Sequence, residues 1–89
     1  MSRVALVTGG TRGIGAAISM ALKEAGYTVV ANYAGNDEAA KEFSHVTGIR
    51  TYKWSVADYD DCEEGIRQIE AEVGPIDVLV NNAGITRDA

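Results

Sequence analysis

Apolar and β-branched runs begin near Arg3, Tyr27, Ile49 and Ile76, and each gap between them carries apolar residues at helical spacing. In the first gap Ile14, Ile18, Ala21, Leu22 and Ala25 form one stripe, closed by Gly26. In the second, Ala39, Ala40, Phe43 and Val46 do so, with Asn36 placed to cap the start and Gly48 after the end. Cys62, Ile66, Ile69 and Val73 form the third stripe, opened by Asp58 and closed by Gly74-Pro75. Strand, helix, strand at this period predicts right-handed crossovers and a parallel sheet. The repeat fits the doubly wound layout, with its strands in the order 3-2-1-4. No linker, low-complexity stretch or second unit interrupts it.

Strand composition agrees with that order. Ile49-Arg50-Thr51-Tyr52-Lys53-Trp54 alternates and carries cations, as an edge strand should. Val4-Ala5-Leu6-Val7 is apolar on both faces, as an interior strand should be. Val78-Leu79-Val80 is equally apolar, yet the sequence supplies no strand to lie outside it. Such a strand at an edge exposes unpaired N–H and C=O groups. The expectation is a piece of a longer chain, its sheet truncated after the fourth strand. Trp54 and the tyrosines read as edge-strand and surface packing.

Between the first strand and the first helix stands Thr8-Gly9-Gly10-Thr11-Arg12-Gly13-Ile14-Gly15. A strand that empties into a glycine-rich turn and then a helix gathers bare N–H groups at the positive end of the helix dipole, where phosphate binds. The spacing is Gly-x-x-x-Gly-x-Gly, with no Gly-Lys-Ser/Thr and no G-x-G-x-x-G. Gly9 suits a positive φ, Gly13 lets a pyrophosphate come close, and Gly15 lets the helix pack tightly. A tight turn that binds nothing is the competing reading of the glycines alone.

The end of the chain narrows the choice. Asn81-Asn82-Ala83-Gly84 closes the apolar run Val78-Leu79-Val80. Together with Thr-Gly-x-x-x-Gly-Ile-Gly, this resembles the short-chain dehydrogenase/reductase family. Within that family, Ala31 to Glu38 and Asn82 to Asp88 look most like the acetoacetyl-CoA reductases, with the 3-oxoacyl-[acyl-carrier-protein] reductases close behind. The resemblance covers the whole chain but about the first third of such an enzyme. It implies that residues 1–89 are the N-terminal half of an NADP-binding Rossmann domain, α/β in class and incomplete. The activity implied for the whole enzyme is NADPH-dependent reduction of a 3-oxoacyl thioester by a homo-oligomer, a tetramer by resemblance.

The resemblance also assigns cofactor contacts: Gly9, Thr11, Arg12, Gly13, Ile14 and Gly15 in the turn, Tyr33 after the second strand, Ser55 and Val56 after the third. Asn82, Ala83, Gly84 and Ile85 follow the fourth. Asn32 and Tyr33 end the strand where NAD-binding relatives carry a carboxylate for the ribose 2′-hydroxyl; here none stands. Arg12 matches the basic residue that holds the 2′-phosphate in NADP-preferring relatives, by two charge-assisted bonds. Asp37 and Glu38 read as favourable charges at a helix start rather than ligands. Ser55 departs from the family's Asp at the adenine contact; its hydroxyl can accept the same bond more weakly. Asn82 has both a binding and a structural reading, as a tie between strand ends, and Asn81 chiefly the structural one. The resemblance also implies that Asp88 lies near the substrate entrance.

The family's catalytic Ser, Tyr and Lys have no counterpart. Four positions after Tyr27, Tyr33, Tyr52 and Tyr59 stand Ala31, Asp37, Val56 and Glu63, never the Lys that lowers the tyrosine pKa. His45 reads as a surface residue, and no metal-ligand spacing occurs. The expectation is an adenosine half-site without a catalytic centre. A stand-alone module that binds a nucleotide without turnover is the alternative of another class.

Charge and composition add exclusions. Thirteen acidic residues against eight scattered basic ones give −5, which argues against nucleic acid and anionic membranes as partners. No apolar run nears membrane-spanning length, and the chain opens directly into a strand without a leader. The single Cys62 forms no internal disulfide and suits a reducing cytoplasm; its stripe makes it a core residue.

Overall fold

The computed structural model describes residues 3–83. Its elements are β1 (Val4–Thr8), α1 (Gly13–Glu24), β2 (Thr28–Tyr33), α2 (Asp37–Thr47), β3 (Arg50–Lys53), α3 (Tyr59–Glu72) and β4 (Ile76–Val80). The strands pair in parallel in the order β3-β2-β1-β4, as the repeat predicts. β1, apolar on both faces, is buried along its length, while β3 is exposed at Arg50 and Lys53 and half-buried at Thr51 and Tyr52.

Alternation along the strands sorts the core into two layers. Val4, Leu6 and Val30 point to one side, where Trp54 and Ile69 of α3 join them. Val7, Val29 and Ala31 point to the other and meet Phe43 of α2, with Ile18 and Leu22 of α1 against them. Both helix caps expected from the sequence form. Asn36 Oδ1 accepts the Ala39 N–H at 3.1 Å, and Asp58 Oδ1 accepts the Asp61 N–H at 3.1 Å. Gly48 ends α2 at φ +77, its N–H donating to the Ser44 carbonyl at 2.8 Å.

The buried faces of the three helices match the apolar stripes only in part. Ile14 and Val46 are each 69% exposed, and Ile66 is 37% exposed. Ala40 and Phe43 of α2 and Ile69 of α3 are buried as their stripes predict, whereas Gly15 and Ser19 of α1 and Gly65 of α3 are buried outside the stripes. Where a helix lies close to a sheet, the innermost position goes to the smallest side chain, and a count of large apolar residues misses it. Ser19 shows the point: fully buried, it donates its hydroxyl to the Gly10 carbonyl at 3.1 Å and clamps α1 onto the turn.

Trp54 corrects a second expectation. It is a core residue, 7% exposed, and not edge-strand surface. Its indole N–H points to Cys62 Sγ at 3.2 Å, and a Cβ at Gly65 would run into its ring. Cys62 is accordingly half-buried against the core, near its expected place.

β4 holds an irregularity that the sequence did not announce. Val4 pairs with Ile76 but Ala5 pairs with Val78, so Asp77 is an extra residue in the strand. Its carboxylate accepts the Val4 N–H at 2.9 Å. The bulge changes the parity of the strand: Ile76 packs in the α3 layer and Val80 in the α1/α2 layer. Val78 and Val80 are half-buried at this edge of the described sheet, and Leu79 is 58% exposed. No helix among the described residues is long and apolar enough to cross a membrane.

Gly65→Ala tests the close approach of α3. The added methyl meets a ring held on all sides, so the variant is expected to lose about 1–3 kcal/mol, read as a lower urea midpoint at unchanged slope.

Candidate functional site

The C-terminal ends of the four strands open onto a cleft of about 760 Å³. The β1–α1 turn forms its floor. Tyr33 to Asn36 form one rim, Trp54 and Val56 a second, and Asn82 and Ala83 a third.

A network of buried amides fixes this geometry. Asn32, 2% exposed, accepts the Gly9 N–H through Oδ1 at 3.2 Å and donates from Nδ2 to the Trp54 carbonyl at 2.9 Å. Its own carbonyl accepts the Gly10 N–H at 3.0 Å. From the opposite side Asn82 Nδ2 donates to the Gly9 carbonyl at 3.2 Å. Thr8 joins in as well, its hydroxyl accepting the Ala83 N–H at 3.1 Å and reaching Asn81 Oδ1 at 3.3 Å. The ends of all four strands are thereby tied to the glycine turn.

Two glycines in that turn are required for different reasons. Gly13 sits at φ +53 with nothing within 4 Å of the place a Cβ would take. It leaves open space directly over the helix start. At Gly15 a Cβ would overlap the Gly9 carbonyl oxygen and crowd Asn82 Nδ2 at 2.7 Å. The tight packing read for Gly15 is thus against the turn and Asn82 rather than against the strand itself.

Electrostatics set α1 apart from its neighbours. α2 and α3 each have a side-chain N-cap and two acidic residues in the first turn. α1 has neither. Its first intrahelical bond runs from the Ala16 N–H to the Arg12 carbonyl at 3.1 Å, so the N–H groups of Gly13, Ile14 and Gly15 precede the ladder. They and the positive helix end lie at the cleft. Arg12, the N-cap residue, is exposed; among the described residues the ion pairs are Lys53–Asp37 and Arg67–Glu64, and Arg12 is in neither. One buried acceptor, Asn82 Oδ1, has no partner among the described residues.

The rim beside Tyr33 carries its own charges. Lys53 Nζ lies 3.1 Å from Asp37 Oδ1. The Lys53 ammonium, and after it the Tyr33 hydroxyl, hold the Asp37 carboxyl below the usual carboxylate range. Burial, and then Asp37 as neighbour, push the Tyr33 phenol above its ordinary value.

Of the residues assigned from sequence, Gly9, Thr11, Arg12, Gly13, Ile14, Gly15, Tyr33, Val56, Asn82 and Ala83 come together around the cleft. Ser55 is not in its lining; it is exposed, and its hydroxyl accepts the Ala57 N–H at 3.2 Å. Gly84, Ile85 and Asp88 lie outside the described residues. Sequence reasoning passed over Trp54 as a wall of the cleft and Asn32 as its anchor. A signal for Asn32 existed: an amide in line with the buried run Val29-Val30-Ala31 needs partners for both ends.

The short chain dehydrogenase family model matches residues 3–89. An acetoacetyl-CoA reductase of Paracoccus denitrificans is 78% identical over all 89 residues, which make up 37% of that relative. A 3-oxoacyl-[acyl-carrier-protein] reductase FabG of Staphylococcus aureus is 45% identical over 93 aligned positions, covering 99% of this chain and 38% of the relative. Among solved structures, a short chain dehydrogenase from Bacillus anthracis superposes with a TM-score of 0.81 at 29% identity, over 90% of this chain and 35% of that one. The chain therefore spans little more than a third of the length of these relatives. A parallel sheet with a glycine turn feeding an uncapped helix, and a family match that runs from the first strand to the last residue, put this chain in the short-chain dehydrogenase family.

Proposed function

We propose that this segment binds the adenosine and pyrophosphate part of NADPH and belongs to a longer enzyme that reduces a 3-oxoacyl thioester. The observation that carries the reading is the start of α1, uncapped and free of acidic residues where α2 and α3 are capped and acidic. The residues present fit such a cofactor. Gly13, Ile14 and Gly15 line the cleft, a Cβ at position 13 would stand in open space, and a buried acceptor on Asn82 lacks a partner among the described residues.

In this reading the N–H groups of Gly13, Ile14 and Gly15 hold the pyrophosphate, helped by the helix dipole. Arg12 takes the 2′-phosphate, with Tyr33 at the same rim; Val56 lines the adenine side, and Asn82 and Ala83 lie along the ribose. Trp54 closes the wall from below. Asn82 Oδ1 accepts a hydrogen bond from the ligand once water is excluded. A bound nicotinamide supplies the hydride. No tyrosine of this chain has a lysine four positions on, so a proton donor for the carbonyl belongs to another part of the enzyme.

Identity favours acetoacetyl-CoA over an acyl-carrier-protein thioester as substrate, at 78% against 45%. The half-buried Val78 and Val80 and exposed Leu79 on β4 favour a longer enzyme over a stand-alone module. The same reading makes the enzyme cytoplasmic and homo-oligomeric, with Cys62 a free thiol.

Arg12→Ala in the full-length enzyme is expected to weaken NADPH by about ten- to a hundredfold, the worth of a charge-assisted bond of about 1.5–3 kcal/mol, and to leave NADH nearly unchanged. Equal weakening of both in a fluorescence titration would reduce Arg12 to a turn residue. Gly15→Ala is expected to cost about 1–3 kcal/mol of stability and to abolish nucleotide binding, since the methyl displaces the Gly9 carbonyl. Gly13→Asn, which tolerates a positive φ, should keep the fold and lose affinity only, so thermal melts beside binding curves separate the two glycines. Acetoacetyl-CoA should drive NADPH oxidation by the full-length enzyme but not by these 89 residues alone. Turnover by the isolated chain would refute the division of labour proposed here.

A further inference from the structure

Asp37 and Glu38 open α2 one residue beyond Asn36, which lines the cleft. They are the acidic residues that follow most directly on the Tyr33 rim. Left bare, two carboxylates there oppose any dianion bound beside Tyr33. Asp37 is not bare. Lys53 ends β3 directly opposite Tyr33 in the β2–β3 register, and its ammonium contacts both Asp37 oxygens, at 3.1 and 3.3 Å. The pair spans from the edge strand to the helix start and draws the carboxylate toward β3.

We propose that Lys53 is a specificity-determining residue, which holds the Asp37 carboxylate against the β3 edge and thereby lets the rim beside Tyr33 accept a 2′-phosphate. This rests on the nucleotide-binding reading above. Lys53 is absent from the cleft lining, so its action is exerted through Asp37 and through the field at the rim, not through contact with the ligand. Arg12 and Lys53 then divide the work. Arg12 supplies the attractive charge, and Lys53 cancels the repulsive one.

NADP⁺ and NAD⁺ differ only in the 2′-phosphate, so titrating the full-length enzyme with each dinucleotide isolates the effect of this rim. Lys53→Met is expected to weaken NADP⁺ about threefold to tenfold at low salt and to leave NAD⁺ unchanged, with the difference fading at high ionic strength. Lys53→Arg should retain the preference. Asp37→Asn alone should tighten NADP⁺, and Lys53→Met combined with Asp37→Asn should return it to near the wild-type value. Lys53→Met that weakens both dinucleotides alike, or neither, overturns the proposal while leaving the site itself intact. Wild-type enzyme that binds both equally overturns the 2′-phosphate preference and this inference with it, and one that binds neither overturns the nucleotide reading as well.

Discussion

The Asn32 side chain is the constraint on which the rest of the cleft depends. Buried among apolar neighbours, its amide must find partners for both ends, and it finds the Gly9 N–H and the Trp54 carbonyl. An amide buried without them costs several kilocalories per mole. The requirement therefore fixes the glycine turn relative to β2 and fixes the exit of β3 relative to both. Asn82 repeats the device from the far side through the Gly9 carbonyl. Between these two amides the turn has no freedom to drift.

Against that fixed turn, α1 begins with no side chain spent on its N-terminus. The other helices satisfy their first N–H groups internally, through Asn36 and Asp58. A cap is worth about 1 kcal/mol, so leaving α1 uncapped forgoes some stability while its first donors stay without a side-chain partner. The clamp from Ser19 to the Gly10 carbonyl holds the helix in place regardless. Exposed donors and firm docking are separate features here, supplied by different residues.

Much of this was legible in the sequence, and the parts that were not share a cause. Element order, strand order and both caps follow from spacing and from polar residues at the ends of apolar runs. The glycine turn and Asn82 were readable because their chemistry needs particular residues at particular places. Ile14, Val46 and Ile66 were misjudged because periodicity scores large apolar residues, whereas Gly15, Ser19 and Gly65 take the innermost helix positions. Trp54 was misjudged because a strand's alternation does not show what lies over its last residue. The Asp77 bulge was invisible because an aspartate in a short strand reads as an ordinary polar position, and only the Val4 N–H in three dimensions gives it a purpose.

The contact between Gly65 and Trp54 has a consequence beyond packing. One ring serves as the floor on which α3 rests and as a wall of the cleft. Global folding and ligand capture therefore share a surface, and by linkage whatever one gains in order the other inherits. A substitution on α3 that never nears the ligand still tilts the wall the ligand meets. Trp54 is thus one residue at which the packing of α3 and the wall of the cleft meet.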